Sequence, residues 1–236
     1  MSMYQLLAET DDFMVINKSP GISVHKDQEE QGLTMAVTKD SGLAQLYLVH
    51  RLDKVTSGLM VLAKNPETAA ALSEQFRLRK VEKYYLAISD KKPRRKQGAI
   101  VGDMDKARRG AWKLLRTRHN PAVTQFQSVS LGQGLRLFLL KPTTGKTHQI
   151  RVALKSEGAP ILGDLTYYAQ SEQEDRTYLH AYSLAFSLRG SNYQYRCLPE
   201  QGLRFDSHCR NVINEHYAEP EQLTWPTLSV PGVENE

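Results

Sequence analysis

The chain has little that would tie it to a membrane, a disulfide framework or a resident metal. Among its 236 residues no run approaches the roughly 18 consecutive apolar positions that a bilayer demands. Its opening segment, MSMYQLLAETDDF, carries acids where a secretory signal carries a basic stretch, so the expected location is the cytoplasm. The only cysteines are Cys197 and Cys209, too few for a disulfide framework and not spaced as a metal knuckle; reduced, structural thiols are expected. The histidines include no HExxH pair, and His208 beside Cys209 has no second pair at ligand spacing, so no metal is expected. Gly145-Lys146-Thr147 suggests a phosphate loop, but the position that must be glycine is Leu140, and no nucleotide or other cofactor is expected.

What is present is an ordinary globular composition, 40% hydrophobic and 24% charged, with lopsided charge. Residues 91–118 hold eleven Lys and Arg against two Asp, a balance of +9 that leaves −4 for the rest of a chain whose net charge is +5. A solvated loop or a sheet edge guarded by lysines would account for such a segment. Eleven cations with Trp112 among them lean instead toward nucleic acid, because neutralising phosphates is how proteins gain sequence-independent affinity.

The apolar pattern predicts an α+β chain built on one domain. YQLLAE, FMVINK and GISVH read as short strands separated by Asp11-Asp12 and Ser19-Pro20-Gly21. LYLVHRLD and GLMVLAK read as strands around a polar turn, and Pro66 opens a helix to about Arg79. KYYLAIS is a further strand, followed by a basic loop. AVTQFQSVS and LRLFLLK form a hairpin across Gly132–Gly134, TGKTHQIRVALKSEG is a helix stopped by Gly158, and YLHAYSLAFSL and YQYRCL complete the pattern. From Ala218 onward the chain is acidic and contains prolines, which predicts an extended tail over 218–236 with Trp225 resting on the surface of a domain spanning 1–217.

HRLDKVTSGLMVLAKN, from His50 to Asn65, is the most informative segment. If 50–53 is a strand, His50 and Leu52 face one way and Arg51 and Asp53 the other, so Arg51 can reach Asp53. One reading is a local ion pair of the common, weakly stabilising kind. The other is a carboxylate kept ionised beside a cation for catalysis. The residues by themselves leave both open.

HRLD-x-x-TSG-L resembles the signature of the RluA-type pseudouridine synthases, and KYYLA at 83–87 and TTGKTHQIRVAL with PILGD and LHA after it match that family's further motifs in order. The resemblance covers roughly residues 10–190. It implies a single catalytic domain with a mixed, largely antiparallel sheet flanked by helices and loops. It places the catalytic aspartate at Asp53, an active-site tyrosine at Tyr85 and the aspartate's arginine partner at Arg151. Ile150 would line the uracil pocket, and Arg51 would enter the gap left by a flipped base. His50, Lys83, Arg94, Arg95, Arg108 and Arg109 complete the expected RNA-contacting set. The family usually continues QIR-x-H, where this chain has Ala153, which bears on RNA contact rather than on activity.

The expected partner is tRNA or ribosomal RNA, with neither membrane nor nucleotide involved, and the expected state is a monomer. The sequence contains no S4-like basic module ahead of the first strand, so RNA would be bound by the catalytic domain and its loops. An inactive RNA-binding descendant and a metal- or nucleotide-dependent RNA-processing enzyme are the competing classes. The intact Asp53, Tyr85 and Arg151 weigh against the first, and the failed phosphate loop and absent ligand clusters weigh against the second.

Overall fold

The computed structural model describes residues 2–24 and 32–227. In chain order the elements are β1 (Tyr4–Glu9), β2 (Phe13–Lys18), α1 (Leu33–Ser41), β3 (Tyr47–Leu48), β4 (Ser57–Ala63), α2 (Pro66–Arg77), β5 (Glu82–Ser89), β6 (Gln97–Gly102), β7 (Met104–Lys106), β8 (Trp112–Leu114), β9 (Ala122–Gly132), β10 (Leu135–Pro142), α3 (Gln149–Ser156), β11 (Leu179–Leu188), β12 (Ser191–Arg196) and α4 (Ser207–Tyr217). The strands and helices make the expected α+β class. They group into two compact units, Met1–Lys83 with His180–Gln201, and Tyr84–Leu179 with Gly202–Glu236.

In the first unit β2 pairs antiparallel with β1 on one side and β4 on the other. β4 then runs parallel to β11, with Ser57 opposite His180 and Gly58 opposite Ala181, and β12 returns antiparallel along β11. This parallel pair is what makes the sheet mixed. Every residue of β4 is buried, which is why it reads as a continuous apolar run and not as an alternation. Its side chains Leu59 and Val61 join Phe13, Leu72, Leu184 and Phe186 in one apolar cluster, where each fully buried side chain contributes about 1.5–3 kcal/mol. α2 starts where the sequence placed it, because the Asn65 side chain accepts the Thr68 N–H at 2.8 Å and Pro66 takes the first turn.

In the second unit β5, β10, β9 and β6 form an antiparallel series. The β9–β10 hairpin closes through Gly132, Gln133 and Gly134, all with positive φ, a geometry that glycine enters without steric cost. α4 packs on β9. After it, Trp225 lies against Tyr84 with ring centroids 5.7 Å apart and donates its Nε1–H to the Pro220 carbonyl at 3.0 Å. Residues 228–236 of the expected tail lie outside the described residues.

Several local expectations need correction. Residues 21–24 are not a strand, and His25 lies outside the described residues. Of LYLVHRLD only Tyr47–Leu48 pairs; 49–56 is a loop, so strand alternation does not orient Arg51 and Asp53. The basic region is not one loop. Asp103 folds it back on itself, its N–H donating to Thr117 O at 2.9 Å while its carboxylate accepts the His119 and Asn120 N–H groups at 3.0 and 2.8 Å. Between those anchors β7 and β8 form a separate hairpin. The helix read from Thr144 begins only at Gln149, because the Gln149 Oε1 accepts the Lys146 N–H at 3.0 Å and the Thr144 hydroxyl at 2.6 Å, locking 144–148 as a turn. α1 and α4 were not anticipated.

Candidate functional site

In the first unit, Asp53 sits half-buried in the loop between β3 and β4. Two buried apolar residues, Val49 and Leu52, precede it. The Asp53 carbonyl accepts the Thr56 N–H at 3.0 Å, closing the KVT turn, and the Lys54 carbonyl accepts the Gly21 N–H at 2.9 Å. Beneath both loops lies Lys18, which is 0% exposed. Its ammonium donates to the carbonyls of Ser19 at 3.0 Å, Ile22 at 2.8 Å and Lys54 at 3.1 Å. A buried cation satisfied by backbone oxygens fixes the loop more firmly than neutral turn bonds would, because bonds to charged groups are about twice as strong.

The motif residues around Asp53 have physical duties. His50 Nε2 accepts the Val61 N–H at 3.0 Å, and its ring stacks on Phe76 at 4.5 Å. That bond requires an unprotonated Nε2. Burial, with the Lys83 charge nearby, pushes the imidazole down to about 3, so it stays neutral. Lys83 lies over the same Phe76 ring at 5.8 Å, and burial with the Arg79 charge lowers its ammonium to about 8. Ser57 bonds His180 Nδ1 at 2.8 Å, while His180 Nε2 donates to the Cys197 carbonyl at 2.8 Å, an arrangement that requires a proton on Nε2. Gly58 has φ +110, and a Cβ there would stand 2.3 Å from the Ala181 carbonyl oxygen. The TSG and LHA motifs are therefore the two sides of the parallel β4–β11 junction. Arg51 is exposed.

The second unit holds the other expected residues. On β5, Tyr84 is 1% exposed and packs toward Trp225, with the Lys141 ammonium 5.4 Å from the Tyr84 ring. Tyr85, opposite Leu140 in the strand pairing, therefore projects from the other face and is half-buried. Ile150 and Arg151 follow Gln149 at the start of α3, and all three are buried. Gln149 is tied to β9 through the Val123 carbonyl and the Thr124 hydroxyl, both at 3.0 Å.

Arg151 is gripped by Asp164, with Nε at 2.7 Å from one carboxylate oxygen and Nη2 at 2.8 Å from the other. The two side chains are 4% and 1% exposed. This fork-to-fork pair sets the plane of the guanidinium. The sequence pattern assigned Asp164 no role, although PILGD stood out. Gly163 before it has φ +75, and a Cβ there would fall 1.8 Å from the Arg176 carbonyl oxygen, so both motif residues have steric or ionic reasons to be present.

The expected phosphate-binding cations separate into two sets. Arg108 and Arg109 are exposed at the tip between β7 and β8, where Arg109 itself has a positive φ of 55°. Arg94 is exposed, with its N–H donating to the Glu157 carbonyl at 3.0 Å. Arg95 is exposed too, but its side chain is engaged within the fold. Its backbone N–H and Nε each donate to Glu157 Oε1 at 3.0 Å and its Nη2 to Oε2 at 2.8 Å, closing the end of α3 onto the start of the basic region.

Among the described residues no helix is long and apolar enough to cross a membrane. Residues 12–156 match the family model described as RNA pseudouridylate synthase. The chain is 58% identical over 198 residues to an uncharacterized RNA pseudouridine synthase of Haemophilus influenzae, covering 84% of this chain and 88% of that protein. It is 33% identical over 200 residues to a dual-specificity RNA pseudouridine synthase RluA of Vibrio vulnificus, covering 77% of each. The solved structure of human RNA pseudouridylate synthase domain containing 1 is similar in fold, with a TM-score of 0.72 at 24% identity over 87% of each chain. Several other relatives are longer, and the chain spans between 56% and 64% of their length.

Proposed function

Because the chain belongs to the RNA pseudouridylate synthase family, as a member of its RluA type, we propose that it isomerises chosen uridines of tRNA or ribosomal RNA with Asp53 as the catalytic residue. The enzyme class, an isomerase forming pseudouridine in RNA, comes with the family. Support for Asp53 comes from its loop: a buried ammonium, Lys18, bonds the carbonyl of the very next residue at 3.1 Å, so the carboxylate is carried on backbone tied to a buried charge.

The reaction breaks the bond from ribose C1′ to N1, turns the uracil in place and joins C1′ to C5. The C5 proton leaves and N1 gains one, so neither electrons nor a donated group is needed. Asp53 acts on the ribose or base as a carboxylate, and the family resemblance gives Arg151 the part of its arginine partner in the reaction. Tyr85 stacks on the uracil and assists removal of the C5 proton, and Ile150 lines the pocket.

A stacked base is out of reach, so the uridine is flipped at a cost of a few kcal/mol. The exposed Arg51 fills the space it leaves. Arg94, Arg108 and Arg109 hold phosphates. His50, Lys83 and Arg95 were expected as RNA contacts, but the bond of His50 to Val61, the place of Lys83 over Phe76 and the grip of Arg95 on Glu157 suit them to supporting these elements. The enzyme acts as a cytoplasmic monomer.

The test is tritium release from total RNA carrying 5-tritiated uridine, prepared from cells lacking the protein, with wild type and Asp53→Asn compared. Release by the wild type alone is expected. Equal release by both would remove Asp53 from the catalytic role, and RNA binding without release by either would favour an inactive binding protein.

A further inference from the structure

The exposed basic hairpin and the buried Arg151 meet the same side chain. The Trp112 N–H, at the start of β8, donates to the Tyr167 hydroxyl oxygen at 2.8 Å. The same oxygen lies 2.9 Å from His148 Nδ1. A phenol that accepts from one neighbour and donates to the other satisfies both without competition. Tyr167 is 6% exposed, so neither bond is exchanged readily for water.

The body of the side chain faces the guanidinium. The Arg151 guanidinium carbon is 5.0 Å from the Tyr167 ring centroid, within the range of a cation–π contact. The Tyr167 backbone N–H donates to the Asp164 carbonyl at 3.0 Å, and Asp164 is the residue whose carboxylate grips Arg151. His148, the other partner of the hydroxyl, sits at the N-terminal end of α3 with a φ of 57°, three residues before Arg151 on the same turn. Tyr167 thus touches β8 with its hydroxyl, the start of α3 through His148, and Arg151 with its ring.

We propose that Tyr167 is a positioning residue that couples RNA engagement by the Arg108–Arg109 hairpin to the seating of Arg151. The proposal rests on the pseudouridine synthase reading and deepens it. Phosphates drawn to Arg108 and Arg109 restrain a short two-stranded hairpin, which has little stability of its own. That restraint passes through the Trp112 N–H to the phenol, and the ring then confines the guanidinium to one position. RNA that reaches the hairpin is held more tightly and also turned over faster.

The experiment measures kcat and KM by tritium release for the wild type, Arg108→Ala/Arg109→Ala, Tyr167→Phe and the triple variant. Tyr167→Phe keeps the ring over Arg151 and removes both hydroxyl bonds. Its kcat is expected to fall by about tenfold, the upper end for one neutral hydrogen bond, with KM nearly unchanged. The hairpin variant should raise KM and lower kcat in the wild-type background, yet only raise KM once Tyr167 is Phe. Contacting residues that act together fail to combine multiplicatively in this way. Losses of kcat that simply multiply, or a hairpin variant with unaltered kcat, would overturn the coupling.

A second pair of variants covers the case in which Tyr167→Phe does not fold. Trp112→Pro removes the N–H donor and leaves Tyr167 intact, so it should reproduce the loss of kcat, while Trp112→Phe, which keeps the N–H, should not. Equal kcat in these two would also overturn the coupling. A wild type that releases no tritium is a different outcome, because it removes the pseudouridine synthase reading itself.

Discussion

Lys18 Nζ donates to the carbonyl oxygen of Lys54 across 3.1 Å, so a buried ammonium fastens the backbone immediately after Asp53. Lys18→Met preserves much of the side-chain volume but leaves the Ser19, Ile22 and Lys54 carbonyls without their shared donor. Bonds to a charged group contribute about 1.5–3 kcal/mol each, so a loss of several kcal/mol in urea unfolding is expected. Where the variant still folds, kcat should drop by about 100-fold, the effect of displacing a catalytic group by roughly 1 Å. Wild-type turnover by a folded Lys18→Met enzyme would show that Asp53 needs no such anchor.

His50 should make the first unit sensitive to acid. Its imidazole is held well below the ordinary value, at about 3, by burial and then by the Lys83 charge. Between that value and about 6.5 the unfolded chain binds a proton that the folded one refuses, so stability rises with pH through this window. The contribution is fully present above about 6.5 and is lost as pH falls toward 3, at a limiting slope of about 1.4 kcal/mol per pH unit. Urea unfolding at a series of pH values should show this slope for the wild type and a shallower one for His50→Gln, which keeps an acceptor but does not titrate. Parallel curves would mean that protonated His50 is accommodated in the folded state.

The basic residues should divide by function. Arg108→Ala and Arg109→Ala are expected to leave thermal stability unchanged and to lower RNA affinity. Removing one arginine–phosphate pairing should flatten the dependence of log K on log salt by about 0.7–0.9. Arg95→Ala should behave in the opposite way, because the Glu157 it leaves is 6% exposed and would become a buried charge without its partner. Its melting temperature should fall while the salt slope of RNA binding is retained. A salt slope that drops with Arg95 and not with Arg108 and Arg109 would reverse the assignment.

The sequence carried the large elements and the neighbourhood of the site, and missed what depends on distant partners. β2, β4, α2, β5 and the β9–β10 hairpin were legible because apolar pattern, Asn65-Pro66 and the Gly132–Gly134 turn are local signals. The loop at 49–56 resembles a strand in sequence because the apolar run of Leu46–Val49 leads into it and Leu52 follows, yet Val49 and Leu52, both buried, are three positions apart and so do not share a strand face. Glu157 grips Arg95 across 62 positions and Tyr167 bonds Trp112 across 55, and no periodicity registers such pairs. Asp164 was nearest to discovery, since PILGD already stood out and its aspartate lies 13 residues beyond Arg151, but nothing in the spacing says that a carboxylate there takes the guanidinium.

Asp164 provides the sharpest test of how Arg151 is held. Asp164→Asn keeps the shape of the side chain and removes the charge that faces Nε and Nη2 at 2.7 and 2.8 Å. Breaking one side of a buried ion pair costs about 3–5 kcal/mol, since the remaining charge stays out of water. For a chain of this size the melting temperature should therefore fall on the order of 10 °C. Arg151→Lys should fare little better, because a point-like ammonium cannot take both carboxylate oxygens in the planar fork. A double variant, Arg151→Met with Asp164→Leu, separates stability from chemistry. Replacing both charges with apolar groups should recover much of the lost stability, as such swaps commonly do. It should leave tritium release at background if Arg151 serves the reaction, whereas recovery of both stability and release would reduce the pair to a structural tie.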